Sequence, residues 1–192
     1  MSLSHLGTGH EEADNQRVVI DQIDRVTRLI QQLLDYVRPA PAAIQEVDLA
    51  HSLHVVAELL APQASKRAVA LHVETPQLAT KLHADPDQVQ QIIVNLVLNA
   101  MDACERGEKV TLRTTRRDKS IVLEIEDDGH GIAPEIQKQV FDPFFTTKKR
   151  GQGTGLGLWV VAQLVRAQSA EIELDSTPGK GTKVRVVWPV HA

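Results

Sequence analysis

A single cysteine, Cys104, stands in a chain of 192 residues. It excludes an intrachain disulfide and any zinc site built on paired thiolates, and it suits a reducing, cytoplasmic setting. No apolar run approaches the ~20 residues of a membrane-spanning helix, so no membrane segment is expected in this chain. The first twelve residues are polar and carry two His and two Glu, unlike a secretory signal. A basic excess is missing as well. Lys and Arg total 21 against 25 Asp and Glu, for a formal net charge of −4. That balance gives no general electrostatic reason to bind nucleic acid or a membrane surface. Internal repeats and low-complexity segments are also lacking.

What is present is ordinary for a globular protein: 42% apolar and 24% charged residues. The length allows one domain plus an appendage. Residues 1–17 read as a disordered or appended tail. Residues 18–38 read as one long helix, because Val19, Ile23, Val26, Ile30, Leu33 and Val37 repeat at spacings of four and three. Such a helix needs helical partners, and a homodimer through residues 19–37 would supply them. Pro39 and Pro41 end it and stiffen a hinge over 39–44. Residues 45–192 remain for a single domain.

Within that domain Asp48 is placed to cap a helix reaching about residue 65, and Asp85-Pro86 to open another reaching about 104. Strands are expected over 68–74 and 78–83. Two hairpins are expected, over 109–116 with 120–126 and over 171–176 with 182–188. A further helix is expected over 155–168. Helices mixed with mostly antiparallel hairpins predict a two-layer α/β sandwich.

Three segments carry chemistry. On the second helix Gln88, Gln91, Asn95, Asn99 and Asp102 fall within about 40° of one line, while the positions between them from 92 to 104 are apolar. A buried polar stripe must be satisfied by something. A solvated stripe usually carries Lys, Glu or Arg; neutral amides and one carboxylate suit a pocket wall for a polar ligand or a hydrated cation. Next, Asp127-Asp128-Gly129-His130-Gly131-Ile132 follows a strand. Taken alone it reads as a strand-ending turn, although a carboxylate there can also accept from an amine. Finally, Gly153-Thr154-Gly155-Leu156-Gly157-Leu158 opens a helix, where bared amides and the helix dipole make an anion site. It is neither a Walker A loop nor a Rossmann fingerprint. The basic stretch 148–152 before it is either a lid with cations for phosphate or a solvated charge run. All three Phe of the chain fall at Phe141, Phe144 and Phe145, a cluster that reads as a packing anchor.

In order, Asn95-x-x-x-Asn99-Ala100, Asp127-x-Gly129-x-Gly131, the Phe segment 141–148 and Gly153-x-Gly155-x-Gly157 resemble the catalytic ATP-binding domain of sensor histidine kinases. That superfamily is shared with gyrase-type and mismatch-repair ATPases. The Phe segment and short lid resemble the nitrogen-regulation type, and residues 19–37 resemble the second helix of the family's dimerisation domain. The resemblance implies a Bergerat-type fold preceded by one long helix, with ATP and Mg²⁺ as ligands. It implies that Asn99 binds Mg²⁺ and that Asn95 lines the same face. Asp127 would read the adenine amine, with Gly129 and Gly131 shaping the pocket. Gly153, Thr154, Gly155, Leu156 and Gly157 would offer backbone to phosphate, and Lys148 or Arg150 a lid cation. Thr182 would close the adenine side. Asp102, Ile132, Thr147 and Leu158 complete the candidate nucleotide-contacting set.

Two departures stand out. Asp102 occupies a position where many family members carry a phosphate-contacting Lys. No His-Glu-x-x-Asn-Pro acceptor box occurs, so the chain alone is not expected to phosphorylate itself. The resemblance makes the partners an acceptor-His helix of a parent kinase and a response regulator's receiver domain. Two rival readings are a nucleotide-gated interaction module and an anti-sigma-type serine kinase.

Overall fold

The computed structural model describes residues 43–75, 80–117, 119–148 and 153–189. The expected helix over 18–38 and residues 39–42 of the hinge lie outside them, as does Arg150.

Asp48 and Asp85 start the two longer helices, each with backbone in the extended region. Asp48 Oδ1 accepts from the amides of Ala50 and His51, opening α1 (Leu49–Arg67). Asp85 Oδ1 accepts from Asp87 and Gln88, opening α2 (Pro86–Ala103) with proline at its first position. Asp85 Oδ2 accepts from Ala43, 42 residues earlier in the chain. The third helix, α3 (Gly157–Ala167), starts two residues later than the pattern suggests.

The strands are β1 (Gln45–Asp48), β2 (Ala70–Glu74), β3 (Lys81–Ala84), β4 (Lys109–Arg117), β5 (Ser120–Asp127), β6 (Glu171–Ser176) and β7 (Thr182–Pro189). Five of them form one sheet in the order β2-β4-β5-β7-β6. Both expected hairpins are present, and β5 joins them by pairing antiparallel with β7. Only β2 and β4 run parallel, the crossover between them passing through α2. The sequence pattern does not announce β1. It pairs antiparallel with β3 in a separate two-stranded sheet, so the strand expected over 78–83 never joins the main sheet.

The inner sheet face presents Val110 and Leu112 of β4, Ile121, Leu123 and Ile125 of β5, and Val184, Val186 and Trp188 of β7. Against it lie Leu53, Val56 and Leu60 of α1, Ile92, Ile93, Leu96 and Val97 of α2, and Val161 and Val165 of α3. The outer face is laced by ion pairs in register. Glu124 sits opposite Arg113 on one side and Arg185 on the other and pairs with both. Lys183 bonds Glu126 at 3.2 Å. The alternation of apolar and charged residues along β5 therefore decides which face the helices cover. Truncating the fully buried Leu123 to Ala should lower unfolding free energy by about 2–5 kcal/mol, read by chemical denaturation at unchanged fold.

Candidate functional site

Asp127 ends β5 in register with Thr182, the first residue of β7. It is 6% exposed. Its Oδ1 accepts from the Gly129 amide at 3.0 Å and from the Thr182 amide at 3.2 Å. Oδ2 is left to accept from a ligand. Burial pushes the carboxyl up to about 6, against the opposing pull of the two amides.

The loop after Asp127 is stitched on two sides. His130 donates its amide to Ala103 O at the end of α2, and Gly179 in the β6–β7 turn donates to His130 O. Gly131 has φ +68°, and a Cβ there would lie 2.1 Å from Thr177 O, so only glycine permits this approach. Ser176 Oγ accepts from the Ile132 amide at 2.8 Å and meets Thr182 Oγ1 at 2.8 Å. The amide of Gln137 donates to both Ile132 O and Ser176 O. Ser176 and Gln137 are absent from the sequence reading. Ser176 lies directly opposite Thr182 in the hairpin register, which is the signal that could have found it.

On α2 the polar stripe divides into three. Gln88 Oε1 accepts from Gln168, whose own Oε1 accepts from Trp188 Nε1 at 2.9 Å. That end of the stripe is satisfied within the protein and is no pocket wall. Asp102 at the other end pairs with Lys148 and Arg67. Asn95 and Asn99 between them face the start of α3. A Cβ on Gly157 would lie 3.3 Å from Asn99 Nδ2 and 3.9 Å from Asn95 Oδ1. Asn99 Nδ2 is buried and has no hydrogen-bond partner. An orphaned amide beside a helix N-terminus is a polar feature aimed at something other than the protein.

The glycine motif stands at that helix start. Thr154 Oγ1 accepts from the Leu156 amide at 3.2 Å, and no side chain caps α3 itself. A helix start of this kind suits an anion. Gly155 has φ +67°, and a Cβ there would lie 2.3 Å from the carbonyl carbon of Phe144. The Phe segment thus packs onto the glycine motif through backbone. Phe144 itself has φ +65° and is 65% exposed, so it is not the packing anchor expected of it; Phe141 and Phe145 are half-buried. Thr147 is exposed, Leu156 is buried and Leu158 packs against the core. The structure therefore brings Asn95 and Asn99 to Gly157, and the Phe segment to Gly155 and Gly153. Asp127, Gly129, Gly131, Ile132 and Thr182 gather at another point, joined to α2 through Ala103. Arg150 lies outside the described residues.

A magnesium ion would need oxygen ligands. Asn99 carries one amide oxygen of that kind, and its buried Nδ2 donor has no partner within the protein. Among the described residues no group of three or more His, Cys, Asp or Glu could cage a metal. The oxygen of Asn99 is of the kind a magnesium ion takes.

A mixed sheet backed by helices, with glycine-bared amides facing two asparagines, defines a Bergerat-type nucleotide domain. Residues 84–192 match the family described as histidine kinase-, DNA gyrase B- and HSP90-like ATPases, and the chain belongs to that family. Over 97% of its length it is 34% identical to the sensor histidine kinase ZraS of Salmonella typhi, of which it spans 39%. It thus spans about two fifths of the length of that relative. Among solved structures, ShkA bound to AMPPNP is similar over all of this chain and 41% of its own, with TM-score 0.81 and 25% identity. The catalytic domain of the histidine kinase ThkA matches 76% of this chain and 95% of its own, with TM-score 0.69 and 25% identity.

Two opposite effects of Asp127→Asn follow. The unfolded chain holds its Asp127 proton less tightly than the folded one, so the wild type loses stability as pH rises from about 4 through 6. Asp127→Asn should melt higher than wild type at pH 7.5 and equal to it near pH 4. The two backbone amides hold the new Oδ1, which turns Nδ2 toward the ligand. A base amine then meets a donor, and ATP affinity should fall by about 1–3 kcal/mol. Calorimetry at two pH values reads both.

Proposed function

We propose that this chain is the ATP-binding, phosphoryl-donating part of a two-component sensor histidine kinase. The observation that carries the reading is the orphaned Asn99 amide facing the uncapped start of α3. Family membership and the AMPPNP held by ShkA support it.

Asp127 Oδ2 accepts from the exocyclic amine of adenine, with Gly129, Gly131 and Ile132 walling the base and Thr182 closing its far side. Backbone of the glycine motif from Gly153 to Gly157 offers itself to the phosphates, with Lys148 as a cation beside it. Asn99 and Asn95 would hold Mg²⁺, which when bound neutralises charge on the triphosphate. A neutral imidazole nitrogen of the acceptor histidine forms the new N–P bond as the bond from the γ-phosphorus to the bridging oxygen breaks. ADP leaves with that electron pair. Imidazole is nucleophilic without a base, so the site supplies position and electrostatics. Asn95 cannot take a proton from water, which favours transfer over hydrolysis. The phosphoryl group then passes to an aspartate of a response regulator.

Asn99→Ala should abolish the Mg²⁺ dependence of ATP binding; an unaltered Mg²⁺ titration contradicts its role. With radiolabelled ATP, the chain alone should stay unlabelled. A supplied acceptor-helix fragment from a related kinase should take up acid-labile, base-stable label. Acid-stable label on serine would replace this reading with a serine kinase.

A further inference from the structure

Arg67 belongs to none of the nucleotide motifs. It ends α1, yet its guanidinium ion-pairs with Asp102 Oδ1, 35 residues away. Asp102 Oδ2 holds the ammonium of Lys148, 46 residues away in the other direction. The three side chains come from three separate parts of the chain and are 43%, 27% and 34% exposed. A Cβ on Gly153 would lie 3.1 Å from Lys148 Cδ, so the lysine stem runs against the glycine motif. Its head is fixed to α2 one turn beyond Asn99.

We propose that Arg67 and Asp102 are positioning residues that hold Lys148 for the polyphosphate of a bound nucleotide. The proposal rests on the nucleotide reading above. A bare carboxylate one turn from Asn99 would repel a polyphosphate, and one lysine cannot neutralise both. Arg67 resolves the conflict. When the Lys148 ammonium turns to phosphate, the guanidinium remains on Asp102 and cancels its charge. A cation at the end of α1 thereby acts on a ligand it does not touch. Arginine suits the role because its charge is permanent and its fork is rigid.

The signature is conditional. Arg67→Gln should weaken ATP binding about threefold, as expected for one half-exposed ion pair, and the effect should shrink in high salt. Adenosine binding, followed by chemical shifts at millimolar ligand, should not change. In the Asp102→Asn background Arg67→Gln should have no effect on ATP, whereas with Asp102 intact Arg67→Lys should lose less affinity than Arg67→Gln. Lys148 should also acylate more slowly in wild type than in Asp102→Asn. Equal effects of Arg67→Gln in both backgrounds, equal losses for ATP and adenosine, or identical acylation rates overturn the proposal. Wild type that takes up no ATP removes the nucleotide reading with it; wild type that binds while the two substitutions act additively removes this proposal alone.

Discussion

One buried carboxylate organises the site. Asp127 Oδ1 is bonded to two backbone amides, one from the loop that follows and one from the first residue of β7. Those bonds fix where β5 stops and where β7 begins. They also set the loop that leans on α2 at Ala103 and on the β6–β7 turn at Thr177. The arrangement is costly, since burial opposes the charged form of Asp127. A buried carboxylate at the end of a central strand, with its pKa raised by burial, is a candidate for a binding role.

The second organising contact is between α2 and α3. Gly157 brings the start of α3 against Asn99 and Asn95, where any side chain at that position would crowd the amide. Asn99 is left with a buried, partnerless nitrogen, and the first amides of α3 are left without a cap. These two deficits lie side by side. Protein interiors generally satisfy such groups, and a polar ligand is one way to do so. The Phe segment packs onto the glycine motif through its backbone at Gly155 and through the Lys148 stem at Gly153.

Much of this was readable before any coordinates. The caps at Asp48 and Asp85 are local chemistry, and both helices start where those residues stand. The hairpins follow from alternation and turn residues, and β5 alternates between core and ion pairs from Leu123 to Glu126. Non-local pairing was not legible. The parallel partnership of β2 with β4 and the small β1–β3 sheet depend on chain crossings that periodicity does not encode. The α2 stripe shows the same limit. Spacing placed Gln88, Asn95, Asn99 and Asp102 on one line, but the partners of its two ends, Gln168 for Gln88 and Arg67 and Lys148 for Asp102, are far away in sequence. Ser176 escaped notice because a lone serine at a strand end carries no pattern until the hairpin register sets it against Thr182. Residues 18–38, where the heptad seam is plain in the sequence, lie outside the described residues.

ATP is the ligand proposed to reach both Asp127 and Asn99. Isothermal titration of the chain with ATP in the presence of magnesium tests this most directly. One nucleotide should bind per chain with a dissociation constant below about 1 mM, a free energy near −4 kcal/mol or better. No detectable uptake at millimolar nucleotide would contradict it.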